Sequence, residues 1–314
     1  MSLERALALA ERGRGQVERT HPLVGALLVR DGEVVGQGWY AGRGSPHAEV
    51  AALEDAGDRA RGATLYVSLE PCSHQGSTPP CADAVVAAGV ARVVAAAGDP
   101  NPKVDGKGFE RLREAGVEVV VADSWQARLQ NEAWRVWIAQ GRPFVTYKIA
   151  MTLDGRVAVP GSRWVSGEES RRRVHELRAV SDAVAVGMGT VRADDPTLTA
   201  RDVGAQRQPR RLAFGGGPLP AGSELELRSG PLEEELAALA GEGVQTLLLE
   251  GGPTLAGAFL AADLVDKLLV FVAPTISGEG GGPVAALPEP RALSRLTSEQ
   301  VGEDVLLTAY VHEP

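Results

Sequence analysis

The two cysteines of this 314-residue chain, Cys72 and Cys81, lie nine positions apart, and each follows a proline. A histidine precedes them in the segment Ser45-Pro46-His47-Ala48-Glu49. One imidazole and two thiolates form a three-ligand set for Zn²⁺ that leaves the fourth tetrahedral position to water. A zinc ion that keeps a water ligand is typical of a catalytic site. The sequence therefore predicts one catalytic zinc per chain, held by His47, Cys72 and Cys81.

A carboxylate, Glu49, follows the predicted ligand His47 by two residues. Zinc makes hydroxide available near neutral pH, and a carboxylate must then carry protons from the water to a departing amine. In zinc deaminases a Glu two residues after the ligating His has this role and is not a ligand. The pattern indicates Glu49 as the general acid/base. Because positions i and i+2 diverge around a helix, we expect a helix that opens at Pro46 and directs its N-terminal end at the metal.

Other interpretations of the cysteines remain open. His74 could complete a four-ligand structural zinc site, an arrangement that would leave Glu49 without a role. A disulfide between Cys72 and Cys81 requires an oxidising compartment, which two isolated cysteines in a chain without a recognisable secretory signal do not indicate. Eight residues separate the cysteines, whereas Cys-x-x-Cys is the usual spacing in deaminases.

Length and charge limit the class of protein. A chain of 314 residues exceeds the usual size of one domain, and Gly141-Arg142-Pro143 is the expected linker, which gives domains 1–143 and 144–314. The net charge of −9 disfavours nucleic acid, since phosphate binding requires concentrated positive charge. No run of 18 apolar residues indicates a membrane span. We expect a cytoplasmic protein that acts on a small molecule.

Strand and helix patterns alternate along the first domain. Two strands flank the turn Asp31-Gly32, a hairpin signal. We expect further strands at 63–69, 91–97 and 117–122, helices from Pro46 to Ala56, at 79–88 and at 108–115, and one long helix at 124–141. This alternation predicts an α/β sheet covered on both faces, with ligands at the strand ends.

The second domain shows the same alternation, with helices expected at 168–180, 232–241 and 254–262 and strands at 144–151, 182–186, 244–249, 267–273 and 305–311. No Gly-x-Gly-x-x-Gly opens a strand-helix unit. Two other glycine turns follow strands, Gly187-Met188-Gly189-Thr190 and Gly251-Gly252-Pro253-Thr254. The second turn opens a helix, and helix N-terminal amides can hold phosphate.

Taken together, these motifs resemble the bifunctional deaminase/reductase family of riboflavin biosynthesis. The resemblance rests on Ser45 to Glu49, Leu69 to His74, Thr78 to Cys81, Asp99-Pro100-Asn101-Pro102 with Gly106 and Gly108, Leu153-Asp154-Gly155, Trp164, Gly187 to Thr190, Asp194 to Thr199 and Glu250 to Gly257. It covers most of the chain. The resemblance implies an N-terminal cytidine-deaminase-like three-layer α/β/α domain and a C-terminal dihydrofolate-reductase-like α/β domain.

The resemblance also implies two consecutive reactions on a small phosphorylated pyrimidine. The first domain would deaminate 2,5-diamino-6-(5-phosphoribosylamino)pyrimidin-4(3H)-one, and the second would reduce the ribosyl group of the product to ribityl with NADPH. Implied NADPH contacts are Ala150, Trp164, Thr190, Asp194, Gly252, Pro253, Thr254, Leu255, Ala256, Gly257 and Ala258. Implied substrate contacts are His74, Ser162, Arg178, Leu198, Arg201 and Glu250.

Within this set, Arg178 and Arg201 suit a substrate phosphate, because a guanidinium can bind it bidentately. Lys148 is a candidate for orienting the open-chain sugar. The family pattern differs at His21, Tyr40 and Ser77, which concern substrate recognition in the first domain, and at Phe214, where an acid is usual. A homo-oligomer is compatible with the sequence.

Two rival functions predict different features. A zinc deaminase acting on a nucleoside or nucleic acid, with an unrelated C-terminal binding domain, would require the short Cys-x-x-Cys spacing and, for nucleic acid, a basic groove. A non-enzymatic zinc-stapled binding module would hold a four-ligand metal without water.

Overall fold

The computed structural model describes residues 2–17, 20–75, 79–285 and 287–314. They form two compact units, one extending to Gln140 and the other comprising Gly141–Glu313. Ser77 and Thr78, which contribute to the motifs above, lie outside the described residues. Within the described ranges, no helix has the length and apolar character needed to cross a membrane.

The first unit is built on a five-stranded sheet of order β2-β1-β3-β4-β5. The strands are β1 (Gly25–Arg30), β2 (Glu33–Trp39), β3 (Thr64–Val67), β4 (Arg92–Ala95) and β5 (Glu118–Val121). The helices are α1 (Ser2–Glu11), α2 (Ala48–Ala56), α3 (Cys81–Ala87), α4 (Lys107–Glu114), α5 (Trp125–Gln130) and α6 (Glu132–Gln140). Strand β1 pairs antiparallel with β2 and β3, and β3, β4 and β5 are parallel.

The predicted hairpin between β1 and β2 is confirmed. Asp31 and Gly32 have φ values of 53° and 84°, the left-handed pair that a two-residue hairpin turn of matching twist requires. The layered α/β class is confirmed as well. One apolar cluster joins the sheet to α2, α3 and α4, and another joins the residues after β4 to α1 and α5.

Helix α2 lies directly on β2 because the strand carries glycines where the helix passes. A Cβ atom on Gly36 would stand 2.3 Å from the carbonyl oxygen of Ala52, and one on Gly38 would stand 2.5 Å from that of Ala48. Small residues on both elements thus permit backbone-to-backbone approach. This packing fixes the N-terminal end of α2, where His47 and Glu49 are found.

Two expectations for helices in this unit are wrong. Helix α2 begins at Ala48 with His47 as its extended N-cap residue, so Pro46 is not the first helical position. The long helix expected at 124–141 is two helices separated at Asn131. The Asn131 side chain is buried and bonds both the N–H and the carbonyl oxygen of Leu23, at 2.8 and 3.0 Å. This tertiary pairing accompanies the break in the helix.

The second unit contains an eight-stranded sheet of order β12-β13-β11-β6-β10-β7-β8-β9. The strands are β6 (Phe144–Thr152), β7 (Ala183–Gly187), β8 (Arg210–Phe214), β9 (Glu226–Arg228), β10 (Thr246–Leu249), β11 (Lys267–Ala273), β12 (Ser294–Val301) and β13 (Asp304–Tyr310). The helices are α7 (Glu168–Val180), α8 (Met188–Asp194), α9 (Leu232–Gly241) and α10 (Pro253–Ala261). From β11 to β9 all neighbours are parallel, and β13 is antiparallel to β11 and β12.

Helices cover both faces of this sheet. Side chains of α9 and α10 pack with alternate residues of β6, β7, β8 and β10, while α7 and α8 contribute to clusters on the other residues. The sequence patterns did not predict β8, β9, β12 or α8. Strand β9 has only three residues, and six consecutive residues of the edge strand β12 are exposed, so neither carries an alternation of apolar residues. The carboxyl ends of β6, β10, β7 and β8 meet at one edge, where α10 and α8 begin.

Candidate active sites

In the first unit, three elements bring the predicted metal ligands together. His47 caps α2, Cys72 lies in the loop after β3, and Cys81 is the first residue of α3. Their donor atoms all lie within 4.8 Å of one another. His47 Nδ1 stands 3.1 Å from Cys81 Sγ and 3.7 Å from Cys72 Sγ. Tetrahedral zinc with ordinary bond lengths would separate such N and S donors by roughly 3.6 Å. The donor set and its spacing therefore fit Zn²⁺.

His74 does not belong to this donor cluster, which has three members among the described residues. Its Nδ1 atom is instead buried without a hydrogen-bond partner in the described part of the chain. Three protein ligands leave one tetrahedral position for water, as in catalytic zinc sites. The geometry therefore favours a catalytic centre over the four-ligand structural alternative. Both cysteines are free thiols.

The electrostatics of the cluster favour a cation. Hydrogen bonds from Cys81 and His47 lower the pKa of Cys72 to about 4, so that its thiolate forms readily. The hydrogen bond with Cys72, together with burial, raises the pKa of Cys81. The hydrogen bond with Cys72 also raises the pKa of His47. Without a metal the two sulfurs thus hold one proton between them, and a divalent cation would displace it.

Glu49 lies in the first turn of α2 and is only 3% exposed. Burial, assisted by the charge of Cys72, raises the pKa of this carboxyl to about 7. A carboxyl group with a pKa near neutrality can both accept and return a proton. Its side chain contacts Cys81, which places it beside the ligand set. This environment suits a proton carrier.

A cavity of about 320 Å³ opens beside the cluster. Besides His47, Cys72 and Glu49, its lining includes His21, Tyr40, Glu70, His74, Asp99, Asn101, Val104, Trp134 and Ile138. This volume suits a small organic ligand. The ring of Tyr40 lies 5.7 Å from the rings of both His21 and His47. Two of the departures from the family pattern, His21 and Tyr40, therefore line this cavity.

Sequence reasoning assigned no role to Asp99, Asn101 or Trp134, although all three line the cavity. Asp99 and Asn101 follow the parallel strand β4, and ligands bind beyond the carboxyl ends of such strands. That rule could have singled them out. Burial raises the pKa of Asp99 to about 7. Trp134 offered no such signal, because it reaches the cavity from α6, far along the chain.

In the second unit, Lys148, Arg178 and Glu250 form a compact ion cluster. Arg178 binds Glu250 bidentately, with Nε to Oε1 at 2.6 Å and Nη2 to Oε2 at 2.9 Å. Lys148 Nζ lies 3.3 Å from Glu250 Oε2. Although burial raises the pKa of Glu250, its two cationic partners outweigh it and hold the value at about 2. The fork of Arg178, predicted to bind a phosphate, is thus occupied by a carboxylate.

The turn after β10 has the shape of a ligand cradle. Gly252 is the N-cap of α10, with extended φ and ψ of −66° and 174°, and Pro253 occupies the first turn. Among the described residues, a Cβ atom on Gly252 would meet one atom within 4 Å, Thr190 Oγ1 at 3.6 Å. As far as the described residues go, the space beside the Gly252 Cα is therefore open, and it borders Thr190. Both features fit the phosphates of a dinucleotide.

The remaining predicted contacts are distributed over this unit. Arg201 is exposed and donates to the hydroxyls of Thr197 and Thr199, both at 2.9 Å. Ser162 Oγ donates to the carbonyl of Trp164, a residue that is 52% exposed. Ala150 lies on β6, Asp194 ends α8, and Leu198 is buried. In α10, Ala256 and Gly257 are buried, and Ala256 belongs to the core cluster. Thr254 and Ala258 are exposed. Leu255 packs against Gly251.

Comparison with known families covers both units. Residues 2–97 match the cytidine and deoxycytidylate deaminase zinc-binding region, and residues 143–215 and 228–307 match the RibD C-terminal domain. The second match is interrupted in the connection that follows β8, just after Phe214, where the sequence departs from the family pattern.

Individual relatives match along nearly the whole chain. The riboflavin biosynthesis protein RibD of Aquifex aeolicus is 40% identical over 96% of this chain and 95% of its own length. The solved structure of Acinetobacter baumannii RibD is 34% identical, with a TM-score of 0.77 over 98% of this chain and 97% of that one. A deaminase/reductase structure from Thermotoga maritima is 31% identical, with a TM-score of 0.76 and the same two coverages. The chain belongs to the RibD family of riboflavin biosynthesis proteins.

Proposed function

We propose that this protein catalyses two consecutive steps of riboflavin biosynthesis. The first is hydrolytic deamination of 2,5-diamino-6-(5-phosphoribosylamino)pyrimidin-4(3H)-one, and the second is NADPH-dependent reduction of the ribosyl group of the product. The observation that carries the proposal is the buried carboxyl of Glu49 beside a three-ligand cluster at the wall of a 320 Å³ cavity. These features supply a metal site, a proton carrier and room for a small substrate, which together support the deamination.

In the deaminase unit, His47, Cys72 and Cys81 would hold Zn²⁺, which when bound supplies hydroxide at neutral pH. The Glu49 carboxylate would accept a proton from the attacking water and, as the carboxylic acid, deliver it to the departing amine, which leaves as ammonia. Burial raises the pKa of this carboxyl in the metal-free chain, which favours a group that can hold a proton. His74 lines the cavity and is a candidate contact for the pyrimidine or its ribosyl group.

In the reductase unit, the amides of the Gly252 turn and Thr190 would bind the pyrophosphate of NADPH, which when bound supplies the hydride. Lys148, held by Glu250, orients the sugar of the substrate. Arg201 is the better candidate for the substrate phosphate, since it is exposed and its guanidinium donates to the hydroxyls of Thr197 and Thr199, whereas Arg178 is committed to Glu250.

The rival functions lack support. An unrelated C-terminal binding domain is inconsistent with the match of residues 143–307 to the RibD C-terminal domain, interrupted only at 216–227. A four-ligand zinc module is inconsistent with the three-member cluster found in the described ranges.

The test uses the purified, zinc-loaded chain and the diaminopyrimidinone. Ammonia release without NADPH reports the deaminase, and the fall of NADPH absorbance after the product is formed reports the reductase. We expect both signals. Absence of ammonia release from protein with a full complement of zinc would refute the first half of the proposal, and a constant NADPH absorbance with deaminated substrate would refute the second half.

A further inference from the structure

Glu70 is a buried carboxylate of the cavity lining that the mechanism above does not use. It is 4% exposed and accepts four backbone N–H groups. Its Oε1 atom accepts from Gly108 at 2.9 Å and from Phe109 at 3.3 Å. Its Oε2 atom accepts from Gly106 at 3.1 Å and from Asp99 at 3.3 Å. Each oxygen is therefore used twice.

The four donors belong to the loop between β4 and α4 and to the first turn of α4. The same loop supplies Asp99, Asn101 and Val104 to the cavity wall. On its other side, Glu70 is separated from Cys72 by a single residue. One side chain thus connects the loop that carries a predicted metal ligand to the wall that faces the substrate.

The junction is close-packed. A Cβ atom on Gly108 would stand 1.9 Å from the carbonyl oxygen of Pro71 and 3.1 Å from Glu70 Oε1, so the start of α4 rests directly on this segment. In the described part of the chain no Lys or Arg pairs with Glu70. Its charge is compensated by the four amides and by the positive end of the α4 dipole.

We propose that Glu70 is a positioning residue for the deamination. It fixes the separation between the metal centre and the wall formed by residues 99–104, and it thereby places the amine-bearing carbon of the pyrimidine against the reacting groups. A carboxylate is required because each of its two oxygens accepts two N–H groups. A glutamine would offer one oxygen, and its NH₂ group would face two donors.

The inference rests on the deaminase activity proposed above, and the test is the variant Glu70→Gln in the full, zinc-loaded chain. We expect the KM for the diaminopyrimidinone to rise and kcat/KM to fall roughly tenfold to a hundredfold, the cost of an ångström-scale misplacement. Zinc content and reductase activity on deaminated substrate should stay at the wild-type level.

Asp83→Asn is the matched control. It removes the exposed pair between Asp83 and Arg111, 2.8 Å apart, which ties α3 to α4 without touching the loop at 99–106. The KM of this variant should equal that of the wild type. Gly108→Ala acts on the Glu70 junction from the helix side, and it should raise the KM as Glu70→Gln does.

Measuring KM separates a positioning role from a purely structural role, because KM does not depend on the fraction of enzyme that is folded. A wild-type KM in either Glu70→Gln or Gly108→Ala would overturn the proposal. Loss of zinc from Glu70→Gln would also overturn it, since the carboxylate would then support the metal ligands and not the substrate wall. A wild-type chain that holds zinc but releases no ammonia would instead count against the proposed function.

Discussion

Replacing Gly252 with valine should separate coenzyme binding from folding in the reductase unit. The backbone of Gly252 is extended, a conformation open to any residue. In the part of the chain that the structure describes, an added Cβ atom would have one neighbour, Thr190 Oγ1 at an ordinary 3.6 Å. The free protein can therefore accept the side chain. We expect the free energy of unfolding to change by no more than about 1 kcal/mol, the scale of a helix N-cap substitution.

When NADPH is bound, however, the valine side chain cannot be accommodated in this way. The valine methyl groups would fill the space in front of the first amides of α10, where the pyrophosphate is proposed to bind. We predict that the Kd for NADPH rises at least tenfold, about 1.4 kcal/mol, as measured by titration of NADPH fluorescence. Zinc content and ammonia release should not change, because the metal cluster lies in the other unit.

Gly251→Val is the matched control for this prediction. A Cβ atom there would stand 2.9 Å from Leu255 Cδ2 and 3.1 Å from Leu255 Cβ, so the Leu255 side chain and the first turn of α10 must adjust. Overpacking of this kind costs about 1–3 kcal/mol of stability. Gly251→Val should therefore lower the melting temperature, whereas Gly252→Val should leave it nearly unchanged. Equal NADPH affinities in wild type and Gly252→Val would place the coenzyme elsewhere.

Three further predictions concern the charged groups. Cys81→Ser should abolish zinc binding and deamination while the reductase survives, as metal analysis and the two separate assays would report. Glu49→Gln should keep its zinc while deamination falls roughly 10²–10⁴-fold, and a near wild-type rate of ammonia release would rule out its role as proton carrier. Glu250 has a depressed pKa, so its contribution to stability is complete above pH 4.5 and is lost as the pH falls towards about 2. Glu250→Gln should therefore destabilise the reductase unit by roughly 3–5 kcal/mol at pH 7 but by much less near pH 2. Denaturant unfolding at the two pH values measures both losses. Equal losses of stability at pH 7 and pH 2 would contradict this prediction.

The metal ligands could be predicted because their residue types and positions are recognisable in the sequence without knowledge of the fold. A histidine and two cysteines in proline-flanked positions restrict the choice of metal before any fold is known, and the structure brings their donor atoms within 4.8 Å. The cavity wall could not be predicted in this way. Asp99 can be singled out only by its position after a parallel strand, and Trp134 reaches the wall from α6, so neither residue type indicates a ligand site by itself.

The role of Arg178 shows a second limit of sequence reasoning. A guanidinium is suited to phosphate and to carboxylate alike, so residue type leaves the partner undecided. Glu250 lies 72 positions further along the chain, and only the placement of α7 beside the carboxyl end of β10 brings the two side chains to 2.6 Å. Tertiary packing therefore decides which anion binds Arg178.

The start of α2 explains how a His-x-Glu pattern can serve one site. Inside a helix, residues two positions apart point about 200° from each other around the axis, and His47 and Glu49 could not face the same centre. His47 avoids this because it is the extended N-cap: its carbonyl accepts the N–H of Ala51 at 2.9 Å, while its φ and ψ of −64° and 158° turn the side chain out of the helical path. The imidazole then lies beyond the helix end, and Glu49 reaches the cluster from the first turn. Had the helix begun at Pro46, as the sequence suggested, the ligand and the proton carrier would have diverged.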